Sequence, residues 1–175
     1  MKEIELKLIS ELMKNSRKSD RELAKTLDVS QPTVTRARTK LENAGYIREY
    51  TLIPNFQKLG FHLVAMSFVH LPSSLTPEET ERTRKADGRI TLESFPEVIV
   101  AERGRGCGYQ AVFISFHKDY QGYIDYVDRL KRVKFLGNQD FESFLISLDD
   151  QIQFRYLTLS TLATALMQLK KEDEE

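Results

Sequence analysis

The N-terminal third of the chain repeats apolar residues with helical spacing. Apolar positions recur every three or four residues over residues 3–14 and again from about residue 20, which predicts two amphipathic helices. Ser19 and Glu22 form the S-x-x-E capping-box pattern, so we expect the second helix to begin at about Asp20. The inward positions are Ile4, Leu8 and Leu12 in the first helix and Leu23, Ala24 and Leu27 in the second.

A third helix is predicted after a short turn. Residues 28–30 form the turn, in which Asp28 tolerates the left-handed conformation better than most non-glycine residues. Ser30 is a favourable N-cap, Pro32 fits the first helical turn, and Gly45 marks the end of the helix. The inward residues of this helix are Val34, Ala37 and Leu41.

Residues 46–53 are rich in β-forming side chains and predict a short hairpin, the wing. Helix, turn, helix and hairpin together make a winged helix-turn-helix, which lays its last helix in the major groove of DNA. We expect this DNA-binding domain to span residues 1–53 and a linker to occupy residues 54–60.

The hydrophobic pattern changes after the linker to short strand-like segments. Strands are predicted at residues 61–71, 96–103, 110–117 and 140–148, and helices at residues 74–85 and 120–130. The order β-α-β-β-α-β is that of a ferredoxin-like domain, in which two helices cover one face of an antiparallel sheet. The predicted fold class is therefore α+β, with this second domain over residues 61–150.

Residues 151–175 are predicted to form a C-terminal helix, at residues 156–169, and a charged tail. The helix is too short and too polar to span a bilayer. Its apolar residues fit either core packing or a dimer or tetramer interface. They are Leu157, Leu159, Leu162, Ala165, Leu166 and Leu169.

Charge is unevenly distributed, although the 175-residue chain has a formal net charge of zero. Residues 1–60 contain 12 lysines and arginines against 8 aspartates and glutamates, whereas residues 61–175 contain 14 against 18. Within residues 14–40 the balance is 8 cations against 3 anions. A basic first domain fits phosphate binding, and an acidic second half would discourage that half from lying on DNA.

The outward face of the third helix carries residue types that contact DNA. Side chains in the first turn of a recognition helix reach base edges, where Gln suits adenine, Arg suits guanine and Thr touches a thymine methyl. Lys25, Arg36, Lys40 and Arg48 are better candidates for phosphates, and Arg48 and Tyr50 of the wing would lie by the DNA backbone. The predicted DNA-binding residues are Ser30, Gln31, Thr33, Thr35, Arg36, Thr39, Lys40, Lys25 and Arg48.

Several stretches of this region resemble one family. ELAKTLDVS, KLE, GYIREY and IPNFQKLG are similar to the turn, recognition helix, wing and linker of the Lrp/AsnC family, the leucine-responsive or feast/famine regulators, and most of all to its archaeal-type members. The resemblance covers residues 1–60. It implies transcription regulation on double-stranded DNA, dimers or higher homo-oligomers, and a ferredoxin-like C-terminal domain that binds amino acids and mediates assembly. Asp28 replaces the usual turn glycine, and the family's G-x-x-D-like effector turn is not reproduced.

A glycine-rich segment joins the two middle strands of the second domain. Because a strand follows it rather than a helix, a hairpin turn is favoured over a nucleotide-binding loop. Its two arginines could pair with the carboxylate of an effector, or they could be solvated loop residues. The residues considered for a small-molecule effector are Arg103, Gly104, Arg105, Gly106 and Gly108.

The remaining residues predict no catalytic site, no metal and no cofactor. The single cysteine, Cys107, excludes an intramolecular disulfide framework and fits a reducing cytoplasm. His62, His70 and His117 are scattered without metal-ligand spacing. We therefore expect a cytoplasmic, non-enzymatic, sequence-specific DNA-binding transcription regulator with no membrane span.

Two other function classes stay open on the sequence alone. Some proteins built on Lrp/AsnC-like domains are sirohaem decarboxylases, so the alternative is a tetrapyrrole decarboxylase. For that alternative the three histidines, with Arg103 and Arg105, would be the residues to examine. A third interpretation is an assembly or sensor module with a silent helix-turn-helix, against which the N-terminal cations weigh.

Overall fold

The computed structural model describes residues 1–70, 93–133, 141–150, 152 and 155–172. The chain divides into two compact units, Met1–Pro54 with Gln153–Glu175, and Asn55–Ile152. The elements bounded within the described residues are, in chain order, α1 (Glu3–Lys14), α2 (Asp20–Leu27), α3 (Gln31–Asn43), a 3₁₀ turn (Gln57–Leu59), β1 (Leu63–Val69), β2 (Val98–Gly106), β3 (Tyr109–His117), α4 (Tyr120–Lys131), β4 (Phe141–Ser147) and α5 (Ser160–Glu172).

Helices α2 and α3 have the caps that the sequence predicts. Ser19 Oγ accepts from the Glu22 amide at 3.3 Å, and Glu22 accepts from the Ser19 amide at 2.8 Å, which confirms the capping box of α2. Asp28 ends α2 in the left-handed conformation, with φ of 53°. Ser30 caps α3 by accepting from the Thr33 amide. The core between the helices is formed by Leu8, Leu12, Leu23, Ala24, Val34, Ala37 and Leu41.

The hairpin predicted at residues 46–53 is not formed. No strand occurs between residues 44 and 62, all of which the structure describes. Aromatic and β-branched residues favour a strand only where a second strand pairs with them, and none lies beside this segment. Tyr46, Leu52 and Ile53 of this segment are exposed, whereas Ile47 packs on the core of the helices. The Thr51 carbonyl accepts a hydrogen bond from the Ser16 hydroxyl at 3.3 Å.

The C-terminal helix α5 packs on α1 within the first unit. Ala163 is fully buried, and its carbonyl accepts a hydrogen bond from the buried Ser10 hydroxyl at 3.2 Å. The helix begins at Ser160 rather than at residue 156. The reason is local, since the Thr158 hydroxyl accepts from the Ser160 amide and holds the chain in a non-helical turn.

The second unit contains a four-stranded antiparallel sheet in the order β2-β3-β1-β4. Central β1 pairs with β3 from Leu63↔His117 to Val69↔Ala111, and with β4 from Leu63↔Ser147 to Val69↔Phe141. This order confirms the ferredoxin-like arrangement. The helix predicted at residues 74–85 lies outside the described residues.

The two faces of this sheet differ. Because side chains alternate along each strand, one set faces α4 and the other set faces away from it. The α4 side holds the core of the unit, which includes Ala65, Val69, Ala111, Phe113, Tyr126 and Leu130. The opposite side is also apolar and includes Met66, Phe68, Val112, Ile114, Phe144 and Ile146.

Among the described helices, none combines the length and the apolar character that crossing a membrane requires.

Candidate nucleic-acid interface

The outward face of α3 is the candidate DNA-contacting surface. Its orientation is fixed because Val34, Ala37 and Leu41 are buried against α1 and α2. The predicted contact residues of this region are accordingly all exposed in the free chain: Ser30, Gln31, Thr33, Thr35, Arg36, Thr39 and Lys40. Lys25 on α2 and Arg48 after α3 are exposed as well.

The first turn of α3 joins capping and surface chemistry. The Ser30 and Thr33 hydroxyls lie 2.8 Å apart, and Ser30 also caps the helix. Both hydroxyls are therefore held in place before any ligand arrives. Gln31 is exposed beside them, and within the described residues its side-chain amide makes no hydrogen bond. Its full donor and acceptor capacity can be directed to a base edge.

Asp20 braces α3 against the start of α2. One carboxylate oxygen of Asp20 accepts from the Thr35 hydroxyl at 2.6 Å, and the other lies 2.8 Å from the Arg38 guanidinium. Two side chains on successive turns of α3 are thus tied to one residue in the first turn of α2. This brace sets the angle between the two helices, and it uses the hydroxyl of one predicted DNA contact, Thr35.

Arg38 links the brace to the segment after α3. Its guanidinium donates to the Tyr50 hydroxyl and to the Lys18 carbonyl, each at 3.3 Å, and lies over the Tyr50 ring. Burial lowers the pKa of Arg38, but the hydrogen bond to Tyr50 and the charge of Asp20 outweigh it and raise the pKa. Arg38 therefore stays charged and connects Asp20 of α2 to Tyr50.

Tyr50 is fixed from both sides. Its hydroxyl donates to the Glu42 carboxylate at 2.7 Å and accepts from Arg38. Burial raises the pKa of Tyr50, and the hydrogen bond to Glu42 raises it further. The phenol thus remains protonated and holds the segment beside α3, although no wing hairpin exists there.

Lys40 is paired within the chain. Its ammonium lies 2.6 Å from the carboxylate of Glu5 on α1, whose other oxygen accepts from the Lys2 amide at 2.8 Å. The hydrogen bond from Lys40, followed by that from Lys2, holds the pKa of Glu5 below its ordinary value. Lys40 remains largely exposed, so it can still approach a phosphate, but its charge is partly neutralised by Glu5.

The other predicted cations are unpaired. Lys25, Arg36 and Arg48 form no ion pair with any described residue. Arg36 lines a shallow surface depression together with Thr35, Thr39, Lys40, Asn43 and Ala44. This depression lies along the C-terminal half of α3.

The glycine-rich segment is a tighter hairpin than the sequence predicts. β2 continues to Gly106 and β3 begins at Tyr109, which leaves a two-residue turn of Cys107 and Gly108. Both turn residues have positive φ, 51° and 84°, as a type I′ turn requires. Such a turn matches the twist of the two strands. The glycines of this segment therefore have a structural role in the hairpin.

The residues considered for an effector lie at this hairpin. Arg103, Gly104, Arg105 and Gly106 are in β2, where the pairing with β3 shifts between Arg103 and Gly106, and Gly108 is in the turn. Both arginines are exposed. A Cβ built on any of these three glycines would meet no atom within 4 Å, so no group of the chain itself presses on them.

The three histidines occupy different environments. His117 is buried under α4, where its Nε2 lies 2.8 Å from the Ser115 hydroxyl. Burial lowers the pKa of His117, while Glu97 opposes and Arg129 reinforces that shift. His62 lies 2.8 Å from Asp149, and the ring of His70 packs on Tyr109. No group of three or more possible metal ligands occurs among the described residues.

Sequence reasoning missed the residues that position α3. Asp20, Arg38, Glu42 and Glu5 were not among the predicted site residues, yet they orient α3, Tyr50 and Lys40. Their partners are 8 to 35 residues apart in the chain. The one signal in the sequence was the high density of cations in residues 14–40, because some cations of such a cluster are expected to pair with carboxylates of the same chain.

Comparison with known proteins agrees with this geometry. A family model described as winged helix-turn-helix DNA-binding matches residues 1–48. An uncharacterized HTH-type transcriptional regulator of Pyrococcus horikoshii, PH0061, is 32% identical over 145 residues, which cover 82% of this chain and 90% of that protein. Its crystal structure matches with a TM-score of 0.68 and 23% identity, covering 90% of this chain and 98% of that one.

Two further solved structures share the fold. Bacillus subtilis LrpC has a TM-score of 0.69 and 22% identity, with 89% of this chain and 99% of that chain covered. The Neisseria meningitidis transcriptional regulator NMB0573, solved with L-Met, has a TM-score of 0.70 and 22% identity, with 93% and 99% covered. At this level of identity the similarity concerns the fold alone.

Other sequence relatives align over a shorter span. An uncharacterized HTH-type transcriptional regulator of Pyrococcus abyssi is 36% identical over 50% of this chain and 59% of its own length. The leucine-responsive regulatory protein of Rhizobium meliloti is 40% identical over 39% of this chain and 44% of its own length. The chain thus spans about half the length of these two relatives.

All the proteins named are regulators, so the tetrapyrrole decarboxylase alternative gains no support. By its helix-turn-helix, its ferredoxin-like sheet and its relation to PH0061, the chain belongs to the Lrp/AsnC family of transcription regulators.

Proposed function

We propose that this protein is a sequence-specific regulator that binds double-stranded DNA through α3, acts as a dimer or higher homo-oligomer in the cytoplasm, and catalyses no reaction. The observation that carries the proposal is that the two faces of α3 differ in their contacts. One face is buried and braced by Asp20, while the other presents Gln31, Arg36 and Thr39 without a partner among the described residues. A rigid helix with free polar side chains suits groove recognition.

The proposed contacts fall into two classes. Gln31, Thr33 and Arg36 lie on the outer face of α3 and are assigned to base edges. Lys25, Lys40 and Arg48 lie around them and are assigned to phosphates, which give affinity without sequence information. Ser30, Thr35 and Thr39 complete the surface, the first two with hydroxyls already engaged in capping or in the brace.

Dimerisation is assigned to the face of the sheet that points away from α4. Phe144 on β4 is 64% exposed, and Ile146 beside it is also exposed. Apolar rows across several strands mark an interaction surface rather than a solvated one. Two copies joined there could place two α3 helices in successive major grooves, on half-sites about one helical turn or a multiple of it apart.

A small-molecule effector is assigned to the second unit, with Arg103 and Arg105 as the carboxylate-binding candidates. The support is the exposed arginine pair on the β2–β3 hairpin, together with a fold relative whose structure was solved with L-Met. A thermal-shift screen of amino acids against wild type and Arg103→Ala tests it. A ligand that stabilises both proteins equally would remove Arg103 from the site.

The test of DNA binding is selection of genomic fragments by the purified protein, followed by titration of the enriched site across a salt series. We expect a palindromic site and a steep fall of affinity with salt, because phosphate contacts release counterions. Arg36→Ala should cost about 1–3 kcal/mol and relax the preference at one base position if Arg36 reads a base.

Arg132→Ala is the matched control, since it removes one exposed positive charge from the other unit. Equal losses for Arg36→Ala and Arg132→Ala would show that only overall charge matters, and would refute α3 as the docking face. Failure to enrich any sequence would refute sequence-specific recognition by the free protein.

A further inference from the structure

Helix α5 carries two apolar faces, and α1 covers only one of them. The covered face contains Ser160, Ala163 and Met167, of which Ala163 is fully buried and bonded through its carbonyl to Ser10. The second face contains Leu162, Leu166 and Leu169, and Leu159, one residue before α5, continues the row. On a helical wheel these leucines lie about 100° away from the face that meets α1.

These leucines are exposed in the single chain. Leu159 is 46%, Leu162 57% and Leu169 61% exposed, while Leu166 is partly buried. Their steps of three, four and three residues are those of a coiled-coil seam, whose knobs enter holes on a second helix. We name Leu159, Leu162, Leu166 and Leu169 the leucine seam.

We propose that the leucine seam is a second self-association surface, which packs against the same seam on α5 of another copy of this chain. The inference deepens the proposed homo-oligomer and does not depend on DNA binding. A seam of this kind is self-complementary about a two-fold axis, so a second copy supplies the matching surface.

Charge favours this occupant over others. Residues 160–169 contain no charged residue, and the charges of α5 follow at its C-terminal end, in Lys170, Lys171 and Glu172. Antiparallel packing of two α5 helices therefore keeps the lysines of the two copies at opposite ends of the seam. The absence of cations from residues 160–169 also makes the seam unsuited to DNA phosphates. A membrane surface is disfavoured because the two cations of α5, Lys170 and Lys171, both lie at its C-terminal end, whereas interfacial helices carry Lys and Arg along their polar face.

The area sets the strength of the contact. Three roughly half-exposed leucines on each copy would bury on the order of a few hundred Å² between two copies, below the roughly 1,200 Å² of a stable stand-alone interface. The seam therefore acts together with another contact between copies, such as the one proposed for the sheet, and increases avidity through effective concentration.

Cross-linking tests the contact directly in the full-length protein. In a Cys107→Ser background, which removes the single native thiol, Leu162→Cys places a thiol in the seam, and a short bis-maleimide links two such thiols in either helix orientation. Thr164→Cys is the matched control, because Thr164 is exposed on the opposite side of α5. We expect linked dimers to form at least about tenfold faster for Leu162→Cys, since the seam holds its thiols together.

Sedimentation measures the effect on assembly. Leu162→Glu/Leu169→Glu should raise the dissociation constant of the assembly by about tenfold or more, because it places four carboxylates in each two-fold seam. Both leucines are more than half exposed, so α5 should keep its contact with α1, and far-UV circular dichroism checks this. Phe144→Glu tests the sheet contact separately.

Equal cross-linking of the two cysteine variants, or unchanged sedimentation of the glutamate variant, would overturn the proposal. If the leucine seam instead binds a different protein, purified chains would not cross-link through it, and that result would also overturn the proposal. Loss of DNA selection with normal seam cross-linking would instead count against the proposed function alone.

Discussion

Replacing Asp20 by Asn should loosen the recognition helix and change only one side chain of its exposed face, Thr35. The substitution keeps the shape of the side chain but removes the charge that holds the Arg38 guanidinium at 2.8 Å. It also weakens the hydrogen bond from the Thr35 hydroxyl, because an amide oxygen is a poorer acceptor than a carboxylate. The perturbed contacts lie between α2 and α3 only.

The expected cost follows from the exposure of the pair. Breaking a fully buried ion pair costs about 3–5 kcal/mol, and a fully exposed one about 0–1 kcal/mol. Here the side chains of Arg38 and Asp20 are 18% and 22% exposed, which places the pair between these limits. Because an asparagine oxygen can still accept one hydrogen bond, we expect a loss of about 1–2 kcal/mol.

Hydrogen exchange measured on peptides from α2 and α3 reports this loss, since it resolves the stability of separate elements in a chain of two units. Glu49→Gln is the matched control, because it also removes one carboxylate charge from an exposed position of the same unit. Selective DNA binding should fall for Asp20→Asn relative to that control. Identical exchange in the two variants, or a coupling energy near zero between Asp20→Asn and Thr35→Val, would refute the brace.

Other predictions concern stability and fold. Burial depresses the pKa of His117. The stability that this group contributes should therefore be present above its unfolded pKa of about 6.5 and be lost as the pH falls through its folded pKa. His117→Gln should then flatten the pH dependence of the urea midpoint. Cys107→Asn should raise stability by a few tenths of a kcal/mol, measured by thermal melting, because Asn accepts positive φ more readily; a lower melting temperature would contradict the type I′ turn. Ser10→Ala should lower the stability of α1 and α5 by about 0.5–1.5 kcal/mol through the lost buried hydrogen bond, and unchanged exchange in both helices would contradict that contact.

The local signals in the sequence were sufficient for α2 and α3. The Ser19–Glu22 capping box, the Ser30 cap and the left-handed Asp28 all depend on neighbours within four residues, and all are present in the structure. The strand order of the second unit was predictable for a related reason, since few connections satisfy the observed sequence of strands and helices.

Features that depend on distant partners could not be predicted. The wing hairpin failed because residues 46–53 have strand-forming side chains but no second strand to pair with. The contact of α5 with Ser10 spans 153 residues. The start of α5 is a separate case, because it was misplaced for a local reason, the hydrogen bond from the Ser160 amide to the Thr158 hydroxyl. The brace on α3 was missed because an ion pair such as Arg38–Asp20 leaves no periodic trace in the sequence.

The ion pairs also change what the charge of the N-terminal unit means. Of the eight cations in residues 14–40, Lys14, Lys18, Arg38 and Lys40 are ion-paired, whereas Arg17, Arg21, Lys25 and Arg36 form no ion pair with a described residue. With Arg48, five cations of residues 14–48 are unpaired among the described residues of each copy, and Lys40 joins them only when it leaves Glu5 for a phosphate. Because each phosphate contact contributes about 0.9 to the salt slope, a dimer that uses these five and keeps Lys40 on Glu5 should show a slope no steeper than about −9. A steeper slope would mean that the paired cations abandon their partners on DNA, and Glu5→Gln, which releases Lys40 beforehand, should then leave the slope unchanged.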